Sequence, residues 1–308
     1  MIDAAVVTDF LQSHFNLEAS NVNLIGAGMF SQALLFSVGG KEFVIRLNAY
    51  QEDFQKDAFA YQQLASTGLP IPKVIKCGSF GIVPCADRSD EHYYYAITER
   101  CAGQTLRACN NISSVLPSLF EALYKIHTFD VSHYSGWGLT DASGNGRFSS
   151  WKNYLLSFYN QKLSFTWREL FERTCMEQKI CEVYSCVIQE YLPLCSRMKC
   201  WVHGDFSFDN VMSDGRKVTG VLDWAESRLG DFVYDIAYLE FWSEGIPYKK
   251  LWQEWSEGKQ LDLCNFEQRM QCYMLHIGLG SLAIAAIVDD AEDYAQVKAR
   301  MRTRIAAI

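Results

Sequence analysis

Two short segments carry oxygen-bearing side chains at spacings that suit phosphate chemistry. His203-Gly204-Asp205 is followed five residues after the aspartate by Asn210, and an apolar run ends in Leu222-Asp223-Trp224. Phosphoryl transfer calls for this set. One carboxylate takes or orients the proton of the attacking hydroxyl, and a carboxylate with an amide oxygen holds magnesium on the phosphates. Either segment alone is weak, because an aspartate after a strand is usually a turn or a helix cap. Together, with Gly230-Asp231 downstream, they predict a phosphotransfer centre built from Asp205, Asn210 and Asp223. His203 is expected to hold the loop, and Asp231 to cap a following helix. His127 and His133 have no evident partner in the sequence.

Something must bring the two segments together. Asp214-Gly215 lies between Val211-Met212 and the stretch from Val218 to Leu222, which predicts a hairpin. If its tip holds two or four residues, Asp223 falls opposite Phe206 or Phe208, near Asp205 and Asn210.

Upstream, Leu34, Phe36 and Val38 alternate up to Gly39-Gly40, and Phe43, Ile45 and Leu47 alternate after it, a second hairpin with Arg46 on the opposite face. Phe54, Ala58, Tyr61 and Ala65 recur at helical spacing before Gly68, Pro70 and Pro72. Tyr93 to Thr98 alternates again. From about Ser114 the texture turns to long amphipathic stretches, Val115 to Ile126, Trp151 to Leu163, Trp167 to Leu192, Phe232 to Trp242 and Phe266 to Val288. Gly136 to Arg147, with four glycines, reads as a mobile connection. Strands first and helices later imply an α+β chain of two lobes, joined near Glu99 to Gly103.

These segments resemble the aminoglycoside phosphotransferases, which have the fold of protein kinases. The resemblance is closest to the hygromycin B phosphotransferases of that family and covers most of the chain. Besides the two motifs it takes in Val44-Ile45-Arg46-Leu47-Asn48, Leu69-Pro70-Ile71-Pro72, Ser135-Gly136-Trp137-Gly138 and Tyr273-Met274-Leu275-His276-Ile277-Gly278-Leu279. It implies a protein-kinase-like two-lobed fold, with a sheet-rich nucleotide-covering lobe over residues 1–101 and a mainly helical catalytic and substrate lobe over 102–308. It also implies ATP or GTP as phosphate donor with Mg2+, and a hydroxyl of an aminoglycoside or aminocyclitol, hygromycin B-like, as acceptor. Antibiotic resistance would be the outcome.

By the same resemblance Asp205 would be the catalytic base and Asn210 and Asp223 the magnesium ligands, with Asp235 in the same catalytic and metal-binding segments; Arg46 stands where most relatives carry the phosphate-binding lysine, and Asp57 stands for its helix partner, usually glutamate. A longer cation facing a shorter anion keeps the span. Gly28 and Ser31 fall in the loop that covers the triphosphate, and Glu99 to Cys101 in the hinge against the nucleobase. Glu226, Glu240 and Trp242 follow the second motif and are candidates for holding a polycation.

Composition narrows the partners. Net charge is -8 with no cluster of Lys and Arg, which argues against nucleic acid and suits a cationic small molecule. The 11 cysteines show no zinc-ribbon spacing and read as reduced thiols of a cytoplasmic protein. No export signal is evident, and Leu275 to Val288 is too short to span a bilayer, so no membrane partner is expected. A monomer is favoured. Rival readings are a kinase of a metabolite such as choline, a sugar or an amino alcohol, and a nucleotide-binding pseudokinase, for which Arg46 is the only argument. A two-metal phosphoesterase would need more histidines than the six present.

Overall fold

The computed structural model describes residues 2–28, 30–83, 91–157, 166–196, 198–243 and 245–304. Helix α1 (Ala4–Phe15) starts at Asp3, whose carboxylate accepts from the Ala5 amide at 2.7 Å. It precedes β1 (Ser20–Ala27), β2 (Ser31–Val38), β3 (Lys41–Asn48), α2 (Gln51–Leu64), β4 (Val74–Val83), β5 (Glu91–Glu99) and β6 (Gln104–Thr105). Then come α3 (Leu116–His127), β7 (Trp137–Thr140), β8 (Gly146–Phe148), α4 (Trp151–Ser157), α5 (Trp167–Arg173) and α6 (Gln178–Tyr191). The chain continues through β9 (Cys200–Val202), β10 (Val211–Ser213), β11 (Val218–Val221) and β12 (Arg228–Gly230). It closes with α7 (Val233–Trp242), α8 (Tyr248–Trp255), α9 (Phe266–Ile287) and α10 (Ala291–Arg304).

Contacts divide the chain into two compact units: Met1–Ala122, Asp141–Gly144 and Phe208–Ala225 form one, and Leu123–Thr140, Asn145–Ser207 and Glu226–Ile308 the other. The first holds a five-stranded antiparallel sheet in the order β1-β2-β3-β5-β4. Strands β2 and β3 pair from Ser31↔Asn48 to Val38↔Lys41, turning through Gly39 and Gly40 at positive φ, as the glycine pair predicts. Leu34, Phe36, Ile45 and Leu47 are buried and pack with Phe10 and Leu11 of α1.

The same unit takes in residues beyond 101 because β10 pairs with both β11 and β6, Met212↔Thr105 and Ser213↔Gln104. That pairing leaves no room for a side chain at Gly103, whose Cβ would overlap the Ser213 carbonyl.

In α2 the sequence reading picked the wrong stripe. Ala58, Tyr61 and Ala65 are half-buried, while the buried side chains are Asp53, Phe54, Lys56, Asp57, Ala60 and Leu64. Three of the six are charged, which an apolar template does not register. The helix ends through a 3-10 turn, Ala65–Thr67, with Gly68 left-handed at φ 74°.

In the second unit α9 packs against α7, α6 and α10, and a four-stranded sheet runs β8-β7-β12-β9. Trp167 to Leu192 is two helices rather than one stretch, with α5 opened by a Thr166–Glu169 capping box. The expected mobile Gly136 to Arg147 loop is corrected as well: its ends form the β7–β8 pair, Trp137↔Phe148 and Thr140↔Gly146. Its glycines serve close packing, since a Cβ at Gly138 would press into the Tyr154 ring.

Helix α9 has 22 residues and is long and apolar enough to cross a membrane by composition, yet 67% of the apolar window is buried within the protein. It also carries a fully buried Arg269, paired to Asp231 through Nε–Oδ2 at 2.8 Å and Nη2–Oδ1 at 2.5 Å. Asp231 caps α7 as expected, accepting from the Val233 amide at 3.1 Å, and also accepts from the Tyr273 hydroxyl at 2.6 Å.

Candidate active site

In the first unit Arg46 on β3 forms an ion pair with Asp57 on α2, and both are largely buried. The second Asp57 oxygen accepts from the backbone amide of Trp224 at 2.9 Å. The neighbouring Lys56 donates from Nζ to the Ala225 carbonyl at 2.9 Å. Two adjacent α2 side chains therefore clamp the backbone just after Asp223, at the Trp224 amide and the Ala225 carbonyl. They hold Asp223 in the left-handed conformation at φ 60°, a state that costs a non-glycine residue roughly 1 kcal/mol or more. Asn48 extends the cluster, donating to Asp53 at 2.9 Å.

Three carboxylates, Asp57, Asp223 and Asp53, act on the one guanidinium of Arg46, while Lys56 is engaged by the Ala225 carbonyl. Burial works to lower the Arg46 pKa, but Asp57, Asp223 and Asp53 outweigh it and raise it. Asp57 is pushed up to about 6, first by burial and then by Asp223, although Arg46 opposes the shift. Carboxylates gathered in this way suit a divalent cation. Among the described residues no three His, Cys, Asp or Glu side chains form a cage for one. Magnesium needs no such cage, because it binds through one or two protein oxygens and otherwise through phosphates and water.

Asn210 and Asp223 are brought together by β10–β11. Val211 pairs with Val221 and Met212 with Gly220, and the Leu222 amide donates to the Asn210 carbonyl at 2.8 Å. Extending that register sets Asp223 opposite Asp209, not Phe206 or Phe208. The irregularity between Met212 and Ser213 moves the pairing by one residue. Asp209 itself is gripped by Arg107 through two bonds of 2.7 Å each.

The other nucleotide residues proposed from sequence also lie in this unit. The Gly28 amide donates to the Ser31 carbonyl at 2.8 Å, closing the turn between β1 and β2. The Glu99 amide ends β5 by donating to the Lys73 carbonyl at 3.1 Å. Cys101 packs against Gly220, where a Cβ would meet its sulfur at 2.5 Å, and burial followed by Glu99 pushes its thiol up to about 11.

Asp205 belongs to the second unit, which builds the segment around it. Asp235 of α7 is wholly buried and accepts from the His203 amide at 2.9 Å and the Gly204 amide at 2.8 Å. His127 of α3 bonds the same carboxylate at 2.9 Å. Burial works to raise the Asp235 pKa, but His127, His203 and the Gly204 amide prevail and lower it. The Asp205 amide donates to His203 Nδ1 at 3.3 Å, so His203 braces the loop as expected. Gly204 sits at φ 83°, where a Cβ would overlap the Glu226 carbonyl and the Arg228 guanidinium. Burial first, and then the nearby Asp205, raise the pKa of Tyr238, which lies on α7 one turn after Asp235.

The three acceptor candidates have partners of their own. Glu226 pairs with Arg228 at 3.0 Å, and Arg228 lies over the Tyr234 ring at 4.8 Å. Glu240 accepts from the Lys249 amide at 2.9 Å at the start of α8. Trp242 packs edge-on against Phe241 beneath the Arg300 guanidinium. Sequence reasoning missed Lys56, Asp53 and Tyr238, and named Asp235 and His127 without pairing them. The available signals were the four-residue spacing of Asp53 and Asp57 and the three-residue spacing of Asp235 and Tyr238, each pair sharing one helix face.

Comparison with known proteins adds to the geometry. The model of the phosphotransferase enzyme family matches residues 22–262. The hygromycin-B 4-O-kinase of Escherichia coli is 28% identical over 304 residues, 97% of this chain and 84% of that protein. A crystal structure of a thermostable mutant of aminoglycoside phosphotransferase APH(4)-Ia, in ternary complex with ADP and hygromycin B, superposes with a TM-score of 0.82 at 26% identity. That match covers 97% of this chain and 98% of the other. Acyl-CoA dehydrogenase family member 11 of Rattus norvegicus is 27% identical over 199 residues, which is 60% of this chain and 23% of that protein.

Proposed function

Since the chain belongs to the phosphotransferase enzyme family, we propose that it moves the γ-phosphate of ATP onto a hydroxyl of an aminocyclitol of the hygromycin B kind. The observation that carries this reading is the Arg46–Asp57–Trp224 linkage, which holds Asp223 in a strained conformation beside the Arg46 guanidinium.

In this mechanism Asp205 accepts or orients the proton of the acceptor hydroxyl while that oxygen attacks phosphorus and the bond to the nucleoside diphosphate breaks. Arg46 stands beside the transferring phosphates as a fixed positive charge, pre-aimed by Asp57. Asn210 and Asp223 are the residues that would hold magnesium. When bound, the ion neutralises charge on the triphosphate and keeps it extended for in-line displacement. Asp235 fixes the loop bearing Asp205, so catalysis consists chiefly of positioning and charge stabilisation. The described cysteines are free thiols, which supports a reducing compartment as the working site.

The test is magnesium- and ATP-dependent phosphorylation of hygromycin B, followed by mass spectrometry of the product and growth of a susceptible host on the drug. The expected result is a singly phosphorylated antibiotic and a resistant host, with Asp205→Asn reducing turnover by roughly three orders of magnitude or more. Turnover of choline, sugars or amino alcohols with none of hygromycin B would move the assignment to a metabolite kinase. The matching stretch in the rat protein favours keeping that second reading, since the same module there is part of a protein of another name.

A further inference from the structure

The end of helix α6 meets helix α9 through two sulfurs. After α6 a 3-10 turn, Leu192–Leu194, leads to Cys195, whose backbone is extended at φ -67° and ψ 148°. Its Sγ lies 3.9 Å from Sγ of Cys272 on α9, 77 positions away in the chain, and 3.7 Å from the Tyr191 carbonyl oxygen. Both cysteines belong to the second unit, and both are free thiols. Cys272 is wholly buried and Cys195 half-buried, so an oxidant arriving from solvent meets Cys195 first.

The residues next to the pair are already joined. The Ser196 amide and the Tyr273 hydroxyl donate to the same oxygen of Asp231, at 3.3 Å and 2.6 Å, and Arg269 holds that carboxylate from one turn earlier on α9. The Ser196 hydroxyl donates to Asp262 at 2.8 Å. The chain beside each sulfur is therefore anchored, and the folded protein keeps the two thiols side by side.

We propose that Cys195 and Cys272 are an oxidation site, at which a peroxide converts the pair to a disulfide that staples the end of α6 to α9 beside the buried Asp231. The inference goes beyond phosphoryl transfer and does not depend on it. Closing the bond brings the sulfurs from contact to about 2 Å, a movement of side chains rather than of helices.

The chemistry balances with hydrogen peroxide as the oxidant. The Cys195 thiolate attacks one oxygen, the O–O bond breaks, and the departing hydroxide takes up the proton that Cys195 released, leaving as water. Cys195 is now a sulfenic acid. Cys272 attacks that sulfur, the S–O bond breaks, and the oxygen leaves as a second water carrying the Cys272 proton. Two thiols lose two electrons in all, and one peroxide gains them. The contact between the sulfurs favours these roles, since it lowers the Cys195 pKa against the effect of burial and, with burial, raises that of Cys272. Cys181 and Cys200, by contrast, are pushed up to about 12, chiefly by burial, and are poor nucleophiles. In a reducing compartment such a bond is transient, formed under oxidant and reversed by thiols.

The experiment treats the folded full-length protein with hydrogen peroxide, alkylates the remaining thiols in urea, and maps a proteolytic digest by mass spectrometry. The expected result is a Cys195–Cys272 linkage, lighter than the separate peptides by two hydrogens and opened again by dithiothreitol. Because the bond closes a long loop, the oxidised protein should also melt roughly 5 °C higher than the reduced one. Cys272→Ala should leave Cys195 as a sulfenic acid, trapped by dimedone, with no such rise.

If Cys272 is alkylated in full after peroxide while Cys195 is oxidised alone, the proposal is overturned. A linkage that forms only in urea overturns it as well, and so does a linked protein with an unchanged melting temperature. The wild-type digest decides the matter by itself should Cys272→Ala fail to fold.

Discussion

Asp57 accepts the backbone amide hydrogen of Trp224 at 2.9 Å, a bond that joins helix α2 to the residue that follows Asp223. The other oxygen of the same carboxylate holds Arg46. One short side chain thus sets both the cation of β3 and the conformation of Asp223, and substitutions at Asp57 should report on both.

Replacing Asp57 by alanine leaves the Arg46 guanidinium buried without its carboxylate and frees the Trp224 amide. Loss of one member of a buried pair costs about 3–5 kcal/mol. Urea unfolding of Asp57→Ala should show a loss of that order together with weaker ATP binding. Arg46→Lys alone should weaken kcat/KM for ATP by about tenfold or more, because the ammonium cannot keep the fork and falls short of Asp57. The double variant Arg46→Lys with Asp57→Glu restores the summed length and should recover most of that loss. A double variant no better than the sum of the singles would refute the compensation.

Gly204 allows no side chain. A Cβ there would overlap the Glu226 carbonyl and the Arg228 guanidinium, and φ 83° already disfavours any L-residue. Gly204→Ala should fold, since the strain falls on one loop, and should lower kcat by about 100-fold through displacement of Asp205. Circular dichroism and initial rates together check this.

Asp235→Asn is expected to damage stability and turnover together. The carboxylate serves two loop amides and His127, and the amide that replaces it keeps one acceptor oxygen for three donors. A loss of about 2–3 kcal/mol in chemical unfolding, with kcat reduced at saturating substrates, is the expected outcome.

His276 makes the fold sensitive to acid. Burial, and then Arg228, hold its pKa down to about 3, whereas an unfolded imidazole takes a proton near 6.5. Its contribution to stability is therefore complete above pH 6.5 and is lost progressively as pH falls towards 3, by up to about 1.4 kcal/mol per pH unit. Unfolding free energies measured between pH 7 and 4 should fall less steeply for His276→Gln than for wild type. Equal slopes would mean the imidazole is protonated in the folded protein.

Local signals were the legible ones. Gly39-Gly40 and Asp214-Gly215 mark their turns because positive φ is a property of one or two residues, and the alternation around them follows from the pleat. The bulge at Met212/Ser213 has no such signature, and it moved the partner of Asp223 by one position. In α2 a template that looks for apolar residues found Ala58 and Tyr61, while the helix buries Asp53, Lys56 and Asp57, which bond to residues on β3 and after β11. His127 and Asp235 lie 108 positions apart, so neither could announce the other. The family motifs located Asp205, but not Tyr238, because a tyrosine on an apolar helix reads as core.

The route of the chain between its two compact units bears on how it is made. The sheet-bearing unit is finished only by Phe208–Ala225, the segment that supplies β10 and β11 and the peptide groups bound by Lys56 and Asp57. A ribosome therefore has to translate as far as Ala225 before the first unit holds all its residues, and until then Lys56 and one oxygen of Asp57 on α2 lack the Ala225 carbonyl and the Trp224 amide that they bind in the finished fold. Cutting the gene at any single codon separates neither unit intact, and for this enzyme split-protein reassembly or lobe exchange would have to carry the 208–225 ribbon along with the N-terminal half.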